Sequence, residues 1–305
     1  FCAHGRLRVD YLELPQFIGY IFHILGVKLR RIKSESLEIW YKSDKRKPLI
    51  IRGARQVGKS TLVRNFAKEN KCRLLEINLE KKKNWDLLFE TNDVAKILNE
   101  IEGLLDVKID NSKQTADIIF FDECQATPML LGALRYFYED YPNLPVITAG
   151  SLLEFALEKY KASMHVGRVE FLYLGPMTFK EYLWAKGEDK MAQALSEFSL
   201  KKELSQSLHQ RVLKHQRAFL FVGGMPEAVN QFAKTEDFRS VKKIQTEILD
   251  VYRDDFNKYS RDTMHPRLHL IFDYAILHVG EKVIYSKISK DYESKEIKRG
   301  IELLS

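Results

Sequence analysis

Cysteine is scarce in this 305-residue chain: Cys2, Cys72 and Cys124 are the only three, and no two stand at C-x-x-C spacing. That excludes a disulfide framework and a zinc ribbon, and points to a reducing compartment. Long apolar runs are lacking as well. The stretch at residues 14–27 has 14 positions and includes Pro15, Gln16 and His23, whereas a membrane helix needs about 20 apolar residues. Its stronger basic cluster (Lys28, Arg30, Arg31 and Lys33) follows the run, the reverse of a secretory signal. No membrane partner is therefore expected, and the expected location is cytoplasmic. The first residue is Phe1 rather than Met, so residues 1–45 read as a processed or internal N-terminal extension of uncertain status.

There is no internal repeat, no low-complexity tract and no chain-wide excess of one charge. The net charge of +7 is concentrated in residues 1–60, which hold 13 basic and 5 acidic side chains. The remainder is close to neutral, so a surface that coats nucleic acid along the whole chain is excluded, while a basic N-terminal arm is not. A composition 45% apolar and 30% charged excludes disorder, collagen-like repeats and a membrane bundle. At roughly 100–200 residues per domain, the length accommodates two or three domains.

From Lys47 onward, short apolar runs recur at Leu49–Ile51, Leu74–Leu79, Ile118–Phe121, Val146–Ala149 and Val169–Leu174. Between them lie stretches with helical spacing, such as Asp93–Leu105 and Met129–Tyr138. Strands without polar alternation are buried on both faces, and their alternation with helices predicts an α/β fold with a parallel sheet over residues 46–177. Residues 178–260 read as a helical subdomain with segments at Phe179–Ala185, Met191–Phe198, Leu208–Phe221 and Val241–Tyr252. Residues 261–305 hold 8 basic and 7 acidic side chains. Helices at Arg267–Val279 and Ser294–Leu304 give them the look of the opening of a winged-helix module.

The strongest motif is Gly53-Ala54-Arg55-Gln56-Val57-Gly58-Lys59-Ser60, a full match to G-x-x-x-x-G-K-[ST]. It follows a buried strand and opens a helix beginning at Thr61, the context in which the motif carries meaning. Its glycines let backbone N–H groups turn toward phosphate oxygens, and the helix N-terminus adds partial positive charge. Residues Gly53 to Thr61 are thus the candidate nucleotide cradle, with Lys59 reaching the β- and γ-phosphates and Ser60 ligating Mg²⁺. Ile118-Ile119-Phe120-Phe121-Asp122-Glu123 ends a buried strand in two carboxylates. Asp122 is the candidate Mg²⁺ ligand, through water, because Mg²⁺ dehydrates reluctantly. Glu123 is the candidate base that polarises the attacking water.

Val146-Ile147-Thr148-Ala149-Gly150-Ser151 ends a strand in hydroxyl residues that could sense the γ-phosphate. Thr148 and Ser151 compete for that role, and Ser151 is favoured, although a helix N-cap for Leu152–Leu157 explains a serine there equally well. Arg168, just before the fifth strand, is either a solvated arginine or a finger reaching a neighbouring subunit's γ-phosphate. No N-K-x-D or L-S-G-G-Q sequence occurs, which disfavours a GTPase and a transporter-type ATPase and leaves ATP as the expected nucleotide. His265 and His269 lack a third metal ligand, and Cys124 reads as a small buried filler.

Five blocks in order, R-G-A-R-Q-V-G-K-S, F-F-D-E-C-Q, T-A-G-S, G-R-V-E-F-L-Y-L-G-P-M-T-F-K-E-Y and G-G-M-P-E-A-V, resemble the predicted prokaryotic AAA+-superfamily ATPases that carry a C-terminal domain of unknown function. The resemblance implies an AAA+ core, a helical lid and a winged-helix segment. Carried over by position, it makes Lys59 and Ser60 the phosphate-loop pair, Asp122 and Glu123 the Mg²⁺ and hydrolysis pair, and Ser151 the sensor. Gly223, Gly224 and Pro226 match a lid motif that lies over the nucleotide in related ATPases, and a plain turn before a helix at Pro226 accounts for them too. Family members continue into a nuclease-like domain outside these 305 residues, so no nuclease chemistry is expected of them. The expected function is Mg²⁺-dependent ATP hydrolysis coupled to movement of the lid and C-terminal module, with a homo-oligomer as a possible assembly. The alternative is a DNA-associated regulator that uses ATP as a switch with little turnover.

Overall fold

A computed structural model describes residues 29–81, 84–112, 117–151, 167–199, 203–259 and 265–304. The apolar stretch 14–27, residues 82 and 83 and the helix expected after Ser151 lie outside them. The described residues group into two compact units: 32–175 with 245–304, and 29–31 with 176–244.

The first unit is built on five strands: β1 (Leu49–Arg52), β2 (Leu74–Asn78), β3 (Ile118–Asp122), β4 (Val146–Ala149) and β5 (Glu170–Tyr173). They lie in the order β2-β3-β4-β1-β5, and every pair is parallel. Parallel pairing requires crossovers. The described ones are α2 (Lys59–Glu69), α3 (Trp85–Glu90) with α4 (Val94–Leu105), and α5 (Met129–Asp140). α4 shows why these segments are helical: Val94, Ile97, Leu98 and Ile101 recur on one buried stripe, and Asp93 caps the first turn by accepting the Lys96 N–H at 3.2 Å. Every residue of β3 and β4 is buried, as uninterrupted apolar runs demand. The edge strands differ from that expectation. β2 and β5 alternate between more and less exposed positions, and Phe171 and Tyr173 on β5 stay exposed.

α1 (Lys33–Lys42), inside the stretch read as an extension, packs onto this core. Leu37 and Trp40 are buried, the Tyr41 ring meets Phe66 of α2 edge-on at 5.4 Å, and Trp40 Nε1 donates to the Lys47 carbonyl at 2.7 Å. At the other end of the chain, α11 (His265–Leu277), α12 (Tyr285–Ile288) and α13 (Ser294–Leu304) close around Ile271, Ile288 and Ile297. Among the described residues 265–304 there are three helices and no strand, which does not confirm the expected winged-helix segment. No described helix is long and apolar enough to cross a membrane.

The second unit holds α6 (Phe179–Ala185), α7 (Asp189–Ser196), α8 (Gln206–Val222), α9 (Pro226–Thr235) and the first turns of α10 (Phe238–Tyr259). Thr178 and Glu181 form a capping box that starts α6, and the Glu181 carboxylate also accepts from Arg31 Nε at 3.0 Å, an ion pair almost wholly buried. Tyr182, Leu183, Val229 and Phe232 form its core.

Phe121 is fully buried, with the rings of Phe89 and Phe137 at 5.5 and 6.0 Å. Phe121→Ala should cost about 3–5 kcal/mol, read as an earlier denaturant midpoint for the sheet-bearing unit.

Candidate functional site

The parallel register brings one set of loops together. Ile51 stands opposite Ala149 and Leu172, Ala149 opposite Asp122, and Asp122 opposite Asn78. All five strands therefore end along one line, and Gly53, Glu123 and Ser151 leave from the same edge of the sheet. In open parallel sheets this carboxyl edge is where ligands bind.

The loop from Gly53 to Gly58 has a shape that its residues impose. Gly53 sits at φ 144°, and a Cβ there would lie 2.0 Å from the Leu174 carbonyl oxygen, so no larger residue fits. Gln56 and Gly58 also take positive φ, and fully buried Val57 pins the loop to the core. Gly58 is the N-cap of α2 and has no side chain to cap it, so the first-turn N–H groups stay available to an anion. Lys59, only 9% exposed, arches back so that its Nζ donates to the carbonyls of Gly53 and Ala54 at 2.9 and 2.8 Å. Burial lowers its pKa, against the raising effect of the Glu123 and Asp122 charges.

Ser60, on the next position of α2, donates to Asp122 Oδ2 at 2.8 Å, while Asp122 Oδ1 accepts the Glu123 N–H at 3.1 Å. Desolvation raises the Asp122 pKa, and the neighbouring Glu123 charge adds to this, with the Ser60 bond opposing. A buried, destabilised carboxylate beside a hydroxyl suits a hard cation. One carboxylate and one hydroxyl, both hard oxygen donors, fit Mg²⁺, which takes few protein oxygens and keeps water and phosphate oxygens.

Glu123 adopts left-handed geometry (φ 56°, ψ 47°), an uncommon conformation for a side-chain-bearing residue, and Gln125 Nε2 holds its Oε2 at 2.6 Å. Thr148 is taken by the fold: its hydroxyl donates to the Phe121 carbonyl at 3.1 Å. Ser151, 3% exposed, lies two residues beyond the row that contains Asp122. Cys124 is fully buried and its thiol is pushed up to about 12, chiefly by burial, which keeps it protonated and inert. Arg168 lies elsewhere. It precedes β5, whose first residue pairs with the start of β1, and it packs by Glu139 (3.2 Å) and the Tyr138 ring (5.8 Å). That is the amino edge of the sheet, away from this chain's own phosphate loop. Gly224 and Pro226 belong to the other unit. There a Cβ on Gly224 would lie 2.3 Å from the Met177 carbonyl oxygen, and Pro226 opens α9.

Sequence reasoning missed Arg64 and the partners of Arg55. Arg64 forks onto Glu76 at 2.8 and 2.5 Å, with Asp122 4.0 Å away. Arg55, inside the loop, is ion-paired to buried Asp255, and the Arg55 carbonyl accepts from the Tyr252 hydroxyl at 2.8 Å. Two hundred residues separate Arg55 from Asp255, and no spacing signal in one sequence links them.

Residues 45–183 match the family described as an AAA domain, and residues 213–305 match a domain of unknown function, DUF8612. Residues 45–183 thus carry an AAA-type P-loop domain, followed by a C-terminal domain of unknown function. Among solved structures, a Walker-type ATPase of Pyrococcus abyssi is 17% identical, covers 91% of this chain and 89% of its own, and gives a TM-score of 0.51. That likeness shows a shared fold. The ORC2 protein of Aeropyrum pernix (12% identity, 90% and 86% covered) and the RuvB motor of Thermotoga maritima (15%, 88% and 85%) give TM-scores of 0.43 and 0.40. No curated protein matches the chain by sequence. The AAA match supports a nucleotide-binding core within residues 45–183.

Because the clash at Gly53 is with backbone, Gly53→Ala should lower stability by about 2 kcal/mol or more and displace the loop. The check is a thermal midpoint measured together with adenine-nucleotide affinity.

Proposed function

We propose that the chain binds ATP with Mg²⁺ at the loop Gly53–Thr61 and hydrolyses it. The observation that carries this reading is the 2.8 Å bond from Ser60 to Asp122, which joins the phosphate helix to the carboxylate strand beside buried Lys59. Lys59 exchanges the Gly53 and Ala54 carbonyls for β- and γ-phosphate oxygens, and the open N–H groups at the start of α2 bind the remaining oxygens. Ser60 and Asp122 would hold the Mg²⁺ that accompanies the nucleotide, and its charge would offset that of the phosphates. Glu123, aimed by Gln125, orients a water at the γ-phosphorus and takes its proton as the bond to the bridging oxygen breaks, releasing ADP and phosphate. Ser151 reads the γ-phosphate. Arg168, at the far edge of the sheet, serves the site of a second copy, which makes turnover rise with protein concentration. Gly224 and Pro226 are assigned to the lid.

The Arg55–Asp255 pair and the Tyr252 hydroxyl support coupling between nucleotide state and the C-terminal domain, since both grip the loop that must settle around phosphate. A DNA-associated switch with little turnover is the second reading. The three helices at 265–304 favour it, and their balanced charge weakens it, because phosphate contacts need clustered Lys and Arg. Salt-dependent retention on duplex DNA separates the two.

Lys59→Ala should abolish ATP binding, whereas Glu123→Gln should bind ATP like the parent and lose phosphate release by at least about a hundredfold. Parent-like turnover by Glu123→Gln would refute the assigned base. Tyr252→Phe removes the donor to the Arg55 carbonyl and should weaken ATP binding by about threefold to tenfold. Hydrogen exchange over residues 245–259 should slow on adding ATP to the parent, and slow less in that variant.

A further inference from the structure

The unit formed by residues 176–244 has a second feature built for a ligand. A cavity of about 810 Å³ opens between α6, α8 and the α9–α10 turn, a volume in the range of small-molecule sites. Its lining includes Tyr182, whose side chain is fully buried and whose hydroxyl has no hydrogen-bond partner among the described residues. A buried hydroxyl without a partner is a standing cost in the free protein, and an acceptor on a ligand removes it. Burial, with the nearby Glu236 charge, pushes this phenol up to about 12, so it stays a neutral donor across the physiological range.

The walls are aromatic and lead outward. The Tyr182 ring stacks near Phe232 (6.4 Å, 22°), Phe232 lies 4.7 Å from Phe238, and Phe238 lies 5.8 Å from Phe221. The last two remain 47% and 74% exposed, an unusual exposure for phenylalanines that line a cavity. Cations surround them. Lys186 sits 5.4 Å over the Phe232 ring and is ion-paired to Glu236, while Lys214 and Arg217, three residues apart on α8, face the same cavity. The lining thus carries three fixed cations against one carboxylate, with His215 as a further potential charge. Aromatic faces, a cationic rim and a single buried donor together select a planar, acceptor-bearing ring with an anionic arm, the chemistry by which proteins hold bases and phosphates without reading sequence.

We propose that this cavity is a second nucleotide-unit site, distinct from the phosphate loop, which stacks a base on the exposed rings of Phe221 and Phe238 and places its phosphate on Lys214 and Arg217. The unit could arrive as a free mononucleotide or within a single strand, and the test distinguishes the two. The Lys59→Ala chain, which lacks the phosphate-loop site, is titrated with AMP, with adenosine and with an eight-residue oligothymidylate. AMP or the oligonucleotide should saturate it, and AMP should bind at least about tenfold tighter than adenosine. Preference for AMP assigns a free nucleotide, and preference for the oligonucleotide assigns a single strand.

In that background Tyr182→Phe should weaken binding about tenfold while leaving the thermal midpoint equal or higher, because it deletes an unpartnered buried hydroxyl. A merely structural hydroxyl would lower the midpoint instead. The surface double variant Lys214→Ala/Arg217→Ala, made also in the parent chain, should abolish the AMP preference without touching the fold. Failure of both ligands to bind, equal affinity for adenosine and AMP, or indifference to both variants would overturn the proposal. None of these outcomes bears on ATP at Lys59, which the parent chain reports separately.

Discussion

The site depends on the alignment of five parallel strands. Because Ile51, Ala149, Asp122 and Asn78 stand in one row, the chain leaving each strand emerges at the same edge. Everything with chemical content follows from that edge. The glycine-bearing turn after β1 opens a helix whose first N–H groups are uncapped, and the strand two places away ends in Asp122, within hydrogen-bond reach of Ser60. A slip of one register in β3 would turn Asp122 toward the opposite face and dissolve the site.

The electrostatics of that edge are set by burial. Lys59 and Asp122 are both removed from water, so each one's charged form is destabilised, and each is partly relieved by groups of the other's neighbourhood. Such a pair is expensive to keep in an empty fold and well matched to a polyphosphate with its cation. Glu123, held in left-handed geometry by the tight turn after β3, is the strained member beside them, as sites of chemistry often are. Tyr252 and Asp255 hold Arg55 at the same edge, which ties the phosphate loop to a helix of the C-terminal match.

Much of this was legible in the chain itself, for physical reasons. β1, β3 and β4 read out because interior strands of a parallel sheet are apolar without interruption, and the phosphate loop read out because glycine spacing and a lysine are its chemistry. The alternation of β2 and β5 did not, since nothing local marks a strand as an edge. The place of α1 was hidden as well: Tyr41 finds its partner, Phe66, on the Lys59–Glu69 helix, beyond the reach of local periodicity. The links of Arg55 to Asp255 and of Glu123 to Gln125 are choices of tertiary packing, and only the second lies close enough along the chain to have been guessed.

The most direct test is an equilibrium titration of the full chain with ATP, in the presence and absence of Mg²⁺. The account predicts saturable binding that Mg²⁺ tightens, with the gain lost when Asp122 is changed to Asn. Binding that ignores both the ion and Asp122, or no binding at all, would contradict it.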